Sequence, residues 1–258
     1  MAFHLGTSGY AYDEWKGVFY PSDLKKKDQL RYFASRFDSV EINYTFRQHP
    51  SEKTLDGWVE QTPEAFRFTM KAHQRITHWK RLVDAGDDVA FLMERVRRLG
   101  DKLGIVLFQC PPNLPFDRDR ASAFLDTLPE GGRYAMEFRH PSWEDARGLL
   151  LERGVAWCTA ETDDHATPTD SFEPFCYLRL RKEQYSDDEL RAWAARAQTG
   201  LDAGHEVFCY FKHEEKGIGP RYAERMAELL GLPGAVAGSA GEPPGPGPAV
   251  TPEEARPA

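Results

Sequence analysis

Four side chains that follow short apolar runs have the chemistry to transfer protons or to form covalent intermediates: Glu41, Lys71, Glu137 and His140. In a strand, residues two apart share a face, so Glu41 lies beside Asn43 and Glu137 beside Arg139. A carboxylate next to a guanidinium keeps a low pKa, which favours the role of base or nucleophile over that of acid. A partly desolvated lysine near other cations can lose its proton and form a Schiff base. We therefore predict these four residues as catalytic.

Cations near the ends of later apolar runs predict an anionic ligand such as a phosphate or a carboxylate. These cations are Arg139, Arg179, Arg181 and Lys212. Other predicted substrate-binding residues are polar or aromatic: Thr7, Tyr10, Trp15, Asn43, Gln109 and Trp143. Aromatic rings at the mouth of a site can stack on sugars or bases. They can equally form a hydrophobic lid, and both alternatives stay open from the sequence.

Three functional hypotheses follow from these residues. The first is an acid/base enzyme of hydrolase, lyase or isomerase type, whose carboxylates act on an anionic sugar-like or nucleotide-like substrate. The second is a hydrolase or isomerase that holds a divalent metal on some of Glu41, Glu137, His140, Asp163 and His213, although no HxH or HExxH spacing is present. The third is a non-catalytic binding module for an anionic metabolite or a nucleic acid. We expect no resident cofactor.

A purely structural role is the alternative for each charged residue. A buried carboxylate survives in a protein interior only when it is paired, and Glu41 could be paired with Lys71 or Arg139 without any ligand. His73 and His78, in the loop after the third strand, could simply be exposed to solvent, although either could also carry a proton.

Eight strand-like runs recur along the chain, rich in aromatic and β-branched residues: 3–7, 40–43, 67–71, 105–110, 134–139, 156–162, 176–181 and 207–213. Helical periodicity or caps separate most of them, as at 28–37, 51–60, 88–99, 121–128 and 221–230. Alternating strands and helices predict parallel pairing with right-handed crossovers, and eight is the number that closes a barrel. We predict an α/β fold, a single (β/α)8 TIM-type barrel, whose active site lies at the carboxyl ends of the strands. An open doubly wound sheet is disfavoured because no GxGxxG follows the first strand.

Local signals mark individual connections. Ser142 with Asp145 and Ser186 with Glu189 predict capping boxes at two helix starts. Residues 163–175, between strands six and seven, carry prolines and polar residues without a helical period. We predict an irregular crossover there.

Composition bounds the domain and its partners. Eighteen of the 26 residues in 233–258 are Pro, Gly or Ala, so this segment predicts a disordered tail after a single barrel domain at 1–232. The formal net charge is -8. An acidic body disfavours unspecific nucleic-acid binding, which depends on neutralising phosphates with Lys and Arg. The expected partner is a small anionic ligand.

The predicted compartment is the cytoplasm. The four cysteines form no CxxC pair and all fall in strand-like runs, which predicts reduced, buried thiols. The start of the chain has no basic segment followed by an apolar stretch, and no apolar run is long enough to cross a membrane. We find no signal that fixes the oligomeric state.

Several motifs in one order resemble the YecE-like family, which is catalogued as a domain of unknown function. They are Gly6-Thr7-Ser8-Gly9-Tyr10, Val40-Glu41-Ile42-Asn43, Thr77-His78, Phe108-Gln109-Cys110-Pro111-Pro112, Glu137-Phe138-Arg139-His140-Pro141-Ser142-Trp143 and Tyr177-Leu178-Arg179-Leu180. The resemblance implies a TIM-type barrel with a polar pocket at its top and transfers no reaction. Arg181-Lys182 and Lys212-His213 depart from the commoner family pattern and add positive charge to the rim.

Overall fold

The computed structural model describes residues 2–166, 173–212 and 217–232. Eight parallel strands form one sheet that curls into a barrel. The strands are β1 Phe3–Thr7, β2 Ser39–Ile42, β3 Arg67–Lys71, β4 Leu103–Gln109, β5 Tyr134–Glu137, β6 Val155–Glu161, β7 Cys176–Leu180 and β8 Val207–Phe211. Every strand falls within or beside a predicted run, and the (β/α)8 TIM-type barrel is confirmed.

The seam between β1 and β2 closes the barrel with fewer backbone bonds than the other pairs. Neighbouring strands from β2 through β8 to β1 are joined by parallel ladders. At the seam, Ser8 and Glu41 form an isolated parallel bridge, and the Gly9 amide donates to the Glu41 carbonyl at 2.7 Å. Gly6 lets the strands approach, because a Cβ there would lie 1.8 Å from the Ser39 carbonyl oxygen. The close approach explains why a residue without a side chain stands at this position.

Seven α-helices lie outside the strands in the described residues: α1 Gln29–Ala34, α2 Glu52–Gln61, α3 Gly86–Val96, α4 Arg118–Leu125, α5 Arg147–Glu152, α6 Asp187–Asp202 and α7 Ile218–Leu229. The predicted capping box of α6 is confirmed, since Ser186 and Glu189 each accept from the other's amide. The predicted box at Ser142 is wrong. A 3-10 helix, Pro141–Ala146, begins there, and the His140 ring accepts the Ser142 amide at 3.3 Å.

Alternation along the strands separates two packed layers. Val40 and Ile42 face the helices in the large outer core, as predicted, while Glu41 faces the barrel axis. The carboxyl ends of the strands surround one opening of the barrel, which we call the mouth. The interior below it is filled by a second hydrophobic cluster: Ile105, Leu107, Ala135, Ala156, Cys158, Phe175, Tyr177, Phe208 and Tyr210. Tyr210 spans this interior, with its hydroxyl 2.5 Å from Ser39 Oγ and 2.8 Å from Thr69 Oγ1. The barrel is therefore a filled core with one polar end.

The connection between β6 and β7 contains no helix in its described parts, 162–166 and 173–175, which agrees with the predicted irregular crossover. Residues 167–172 of this connection lie outside the described residues, as do 213–216. The predicted disordered tail, 233–258, also lies outside them, so the boundary at 232 stays a prediction.

Two compositional expectations have structural counterparts. All four cysteines are buried and unpaired. Among the residues that the structure describes, none of the helices is both long enough and apolar enough to cross a lipid bilayer.

Candidate functional site

Charged side chains from the ends of four strands, β2, β3, β5 and β7, meet at the carboxyl end of the barrel. We call this group the mouth cluster; it consists of Glu41, Lys71, Glu137, Arg139, Arg179 and Arg181. Glu41 lies in β2, and Lys71 and Glu137 are the last residues of β3 and β5. Because parallel strands end at the same rim, residues far apart in sequence become neighbours here.

Arg179 is the centre of the mouth cluster. Its Nε lies 2.7 Å from one carboxylate oxygen of Glu41, and its Nη2 lies 2.8 Å from the other. Its Nη1 donates to Glu137. The side chains of Glu41 and Glu137 are fully buried and that of Arg179 is 1% exposed. One guanidinium therefore bridges two buried carboxylates, and its pairing with Glu41 is bidentate.

Glu41 accepts from three further side chains. The Tyr177 hydroxyl donates to its Oε2. The Ser8 hydroxyl donates to Oε1 at 2.8 Å, and the Asn43 amide donates to the same oxygen at 2.9 Å. Burial raises the pKa of Glu41, but the charge and hydrogen bonds of Arg179 outweigh it and hold that pKa well below the usual range. Glu41 stays ionised at neutral pH.

Glu137 is paired on its other side with Arg139, whose Nε and Nη2 lie 3.0 and 2.9 Å from its Oε1. Burial raises the pKa of Glu137, but Arg179 and Arg139 together lower it to about 2. Both buried carboxylates are thus bases without a proton to give. The space between them is occupied by Arg179 rather than by an open cleft.

Lys71 forms no ion pair with a carboxylate among the described residues. Its Nζ lies 4.2 Å from the centre of the Phe46 ring, a cation–π contact. Burial, followed by the positive charge of Arg179, lowers the pKa of Lys71 to about 7. The amine is therefore divided between its charged and neutral forms near neutral pH.

His78 lies close to this lysine. Its ring packs edge-on against Phe46 at 4.8 Å between ring centres, and its Nδ1 lies 2.8 Å from the Thr77 hydroxyl. Burial and the nearby Lys71 charge lower the pKa of His78. The imidazole at this edge of the mouth is accordingly neutral at physiological pH, when it can accept or relay a proton.

Arg181 is half-buried beside Glu41, Arg179 and Glu137, which we call the buried triad. Its Nη1 lies 3.3 Å from Ser8 Oγ, and no described carboxylate forms an ion pair with it. Burial, followed by the charge of Arg179, lowers its pKa, yet a guanidinium keeps its charge at any physiological pH. Gln109 is a more distant neighbour, with its Oε1 3.5 Å from Arg179 Nη1.

Several predicted site residues lie outside these contacts. Thr7 alternates to the opposite face from Ser8 and donates to the Gly9 carbonyl at 2.6 Å. His140 bonds through Nδ1 to the Ser142 hydroxyl at 2.8 Å. Lys212 is half-buried, its amide donates to the Leu180 carbonyl, and residues 213–216 that follow it are outside the described ranges.

The three predicted aromatic contacts are packed side chains. Trp143 is fully buried, stacks on Phe138 at 4.1 Å between ring centres and donates to the Leu114 carbonyl. Trp15 is 1% exposed within an aromatic group in the first loop. Tyr10 is half-buried, and its hydroxyl accepts from the Trp58 indole at 3.0 Å. These positions match the alternative that such rings pack over the barrel.

Sequence reasoning missed Ser8 and Tyr177 as members of the network. A signal existed for both. Tyr177 is two residues before Arg179 on the same strand, so it shares the inward face. Ser8 is two residues after Gly6, which lies at the seam. Residues two apart share a face, so an inward-facing Gly6 predicts that Ser8, and not Thr7, faces the barrel axis.

No group of three or more His, Cys, Asp or Glu side chains in the described ranges has a geometry that could hold a metal ion. His213, one of the predicted ligands, lies outside those ranges, and the metal-dependent hypothesis stays a prediction. An apolar cavity of about 370 Å³ lies at the opposite end of the barrel, lined in part by Phe3, Leu5, Phe37 and Phe66. None of the predicted site residues lines it.

Comparisons with known proteins agree with this architecture. Residues 4–247 match the family described as "Protein of unknown function DUF72". The chain is 30% identical to the UPF0759 protein YunF of Bacillus subtilis (strain 168) over 270 residues, 89% of this chain and 95% of that protein. It is 32% identical to the UPF0759 protein YecE of Escherichia coli (strain K12) over 160 residues, 59% of this chain and 56% of that protein.

Solved structures show the same fold. A crystal structure of a DUF72 family protein from Thermotoga maritima superposes with a TM-score of 0.75 at 23% identity and covers 90% of this chain and all of that chain. One from Enterococcus faecalis V583 gives 0.72 at 18% identity and covers 89% of this chain and 96% of that chain. Because the family match spans most of the sequence and YunF is aligned over nearly its whole length, this chain belongs to the DUF72 family.

Proposed function

We propose that this chain is an enzyme of lyase or isomerase type that acts on a small anionic, sugar-like carbonyl compound at the barrel mouth. The observation that carries the proposal is the Lys71 amine, which has no carboxylate partner in the described chain and a pKa of about 7. Such an amine has a lone pair available at neutral pH. It can attack a carbonyl carbon to form an imine, with release of water, or exchange a proton with the substrate.

The buried triad supports this role by fixing the electrostatics around Lys71. Arg179 is held in place by Glu41 and Glu137 and adds a positive charge that disfavours a protonated lysine. Neither carboxylate is exposed, and neither has a proton to donate. We therefore assign Glu41 and Glu137 as positioning residues, instead of the acid and nucleophile that flank a glycosidic bond in hydrolases.

Arg139 and Arg181 supply the anion-binding part of the proposed site. Arg139 is 27% exposed, so it can reach solvent and a ligand while it remains paired with Glu137. Arg181 has donors that no described carboxylate uses. Guanidinium groups at the rim would orient a phosphate or carboxylate group of the substrate, and the carbonyl would then lie toward Lys71.

Reductive trapping tests the proposal. The protein is incubated at pH 7.5 with members of a panel of 2-keto acids, ketose phosphates and aldose phosphates, treated with borohydride, digested and analysed by mass spectrometry. We expect a reduced adduct on Lys71 with at least one compound, absent in Lys71→Arg.

Lys102 is the internal control for that experiment. It is also buried, but its ammonium donates to the Val59 and Thr62 carbonyls at 2.6 and 2.7 Å and to the Thr62 hydroxyl at 3.1 Å. Burial lowers the pKa of Lys102, but its three hydrogen bonds use all three N–H donors of the ammonium, so Lys102 should remain unmodified. If no compound labels Lys71, or if surface lysines are labelled equally, the amine has no imine role and a non-catalytic module that binds an anion becomes the better description.

A further inference from the structure

The mouth cluster carries more positive than negative charge. It contains three guanidinium groups, one amine and two carboxylates. Both carboxylates are already bonded to Arg179, and Glu137 is bonded to Arg139 as well. With Lys71 neutral the cluster has one uncompensated positive charge, and with Lys71 protonated it has two. In a partly desolvated site such an excess is a strong electrostatic requirement for an anion.

The donors that could meet an anion lie outside the buried triad of Glu41, Arg179 and Glu137. Lys71 is at the end of β3 and Arg181 follows β7, so the two face each other across the barrel mouth. Arg181 uses one long bond of 3.3 Å to Ser8 and has four further N–H donors. The Lys71 ammonium has three donors, and its one described contact is with the face of Phe46. The charge of Arg181 contributes to the lowered pKa of Lys71, so the two groups act on each other electrostatically. Both are half-buried, which strengthens that repulsion relative to water.

We propose that the mouth binds a phosphate-type dianion through Arg181 and Lys71, and that binding draws a proton onto the Lys71 amine. The proposal rests on the proposed function for the location of the substrate, and it names the anionic group as a doubly charged one. A dianion compensates the excess charge of the fully protonated cluster, whereas a monoanion compensates only that of the neutral-lysine form. Its field opposes the repulsion from the arginines, and so it raises the affinity of Lys71 for a proton.

Anion binding and protonation of the Lys71 amine are therefore thermodynamically linked. The free enzyme has a neutral amine, and the complex with a dianion has an ammonium that can donate a proton but cannot attack a carbonyl. The proton comes from solvent, and no other bond changes in this step. A phosphate substrate held in this way would therefore use the proton-exchange role of Lys71, and imine formation is expected with carboxylate substrates, which carry a single negative charge.

Binding at pH 8 should therefore take up close to one proton, because Lys71 is mostly neutral in the free protein and mostly charged in the complex. His78, the other neutral base at this edge of the mouth, has its pKa lowered by burial and by the Lys71 charge and stays neutral at pH 8.

Titration calorimetry measures this proton directly. Sulfate is the main probe, because it is a dianion that does not itself titrate near pH 8, and inorganic phosphate is the second. Each is titrated into the full-length protein in two buffers of different ionisation enthalpy, since the difference in observed heat gives the protons taken up. We expect binding with uptake of about one proton per anion at pH 8 and much less at pH 6, where Lys71 is already protonated.

Variants assign the effect to the two residues. Arg181→Met should weaken anion binding at least about tenfold. Lys71→Met should retain weaker binding and abolish the proton uptake. Arg98→Met, at an exposed ion pair with Asp56, should change neither quantity. A sugar phosphate that binds more tightly than inorganic phosphate would identify the dianion as one end of a larger substrate.

The wild-type measurement alone decides the proposal, so a variant that fails to fold does not leave it untested. Absence of sulfate and phosphate binding at millimolar concentration would overturn it, and so would binding with no proton uptake at pH 8. Either result would leave the imine chemistry of Lys71 to be judged by the trapping experiment, because a carboxylate substrate could still react there.

Discussion

Removing Arg179 should destabilise the protein strongly, because the substitution Arg179→Met leaves two buried carboxylates without their shared cation. Breaking a buried ion pair by deleting one partner typically costs about 3 to 5 kcal/mol. Two carboxylates do not double this value here. Glu137 keeps Arg139, and Glu41 keeps the hydroxyl and amide donors described above. We therefore expect a loss of about 3 to 5 kcal/mol in the free energy of unfolding at pH 7.

The loss should depend on pH with a defined sign. In the wild type, the folded-state pKa of both carboxyls is lowered, so their contribution is present above about pH 4.5 and is lost as the pH falls toward about 2. Without Arg179, burial dominates for Glu41 and its pKa rises. The variant then gains stability relative to the wild type as the pH falls from 7 to 4.5, by up to about 1.4 kcal/mol for each unit of pH below the raised pKa.

Urea unfolding at pH 7 and pH 4.5, followed by circular dichroism, measures both quantities. The matched control is Arg98→Met, whose guanidinium is 44% exposed and pairs with Asp56 at the surface. That change should leave the free energy of unfolding nearly unchanged at both pH values, because solvent screens an exposed ion pair. A cost for Arg179→Met below about 1 kcal/mol at pH 7, or an equal cost at the two pH values, would refute the interpretation of the triad.

Two further predictions concern the closure of the barrel. Gly6→Ala would place a Cβ against a backbone carbonyl of β2 and should lower the free energy of unfolding by at least about 3 kcal/mol. Gly148→Ala, with open space around the added Cβ, should be neutral or stabilising, and equal unfolding midpoints for the two variants would contradict this prediction. Burial lowers the pKa of His4, but its bonds to Asp38 and Glu206, at 3.1 and 2.9 Å, raise it overall. This stabilisation is complete below about pH 6.5 and is lost as the pH rises through the raised pKa. His4→Gln should therefore cost about 2 kcal/mol at pH 6 and less at pH 9, and a cost that grows with pH would show that the bonds of His4 to Asp38 and Glu206 do not stabilise the fold in this way.

The fold could be predicted because the strand patterns, the helical periods and the number of strands all indicated the same architecture. Apolar runs of strand length alternate with helical periods, and eight parallel strands have one closed arrangement. The inward face of β2 was also predictable, since Val40 and Ile42 had to face helices and left Glu41 toward the axis.

Pairing within the site was harder to predict. Alternation gives the face of a residue but not which side chain of another strand it meets, because this depends on strand stagger and side-chain length. Arg179 is long enough to cross the barrel mouth and bridge Glu41 and Glu137, which removes both carboxylates from direct contact with a ligand. The sequence predicted that these residues converge and could not show that they neutralise one another.

The sequence also could not show whether Tyr10, Trp15 and Trp143 pack inside the protein or face a ligand. Trp143 follows a segment with the pattern of a helix cap, yet the chain enters a 3-10 helix there and turns the ring into the core against Phe138. Thr7 and Ser8 show the same difficulty. Adjacent residues of a strand face opposite sides of the sheet, so an error of one position assigned Thr7, instead of Ser8, to the inward face.

The pH titration of the Lys71 amine tests the central claim most directly. The rate at which an amine-reactive reagent labels Lys71 is measured by mass spectrometry between pH 5 and 11, with Lys71→Arg to confirm the labelled peptide. We expect a rate that rises to a plateau with a midpoint near pH 7. A midpoint near 10.4, the value of an unperturbed lysine, would contradict it.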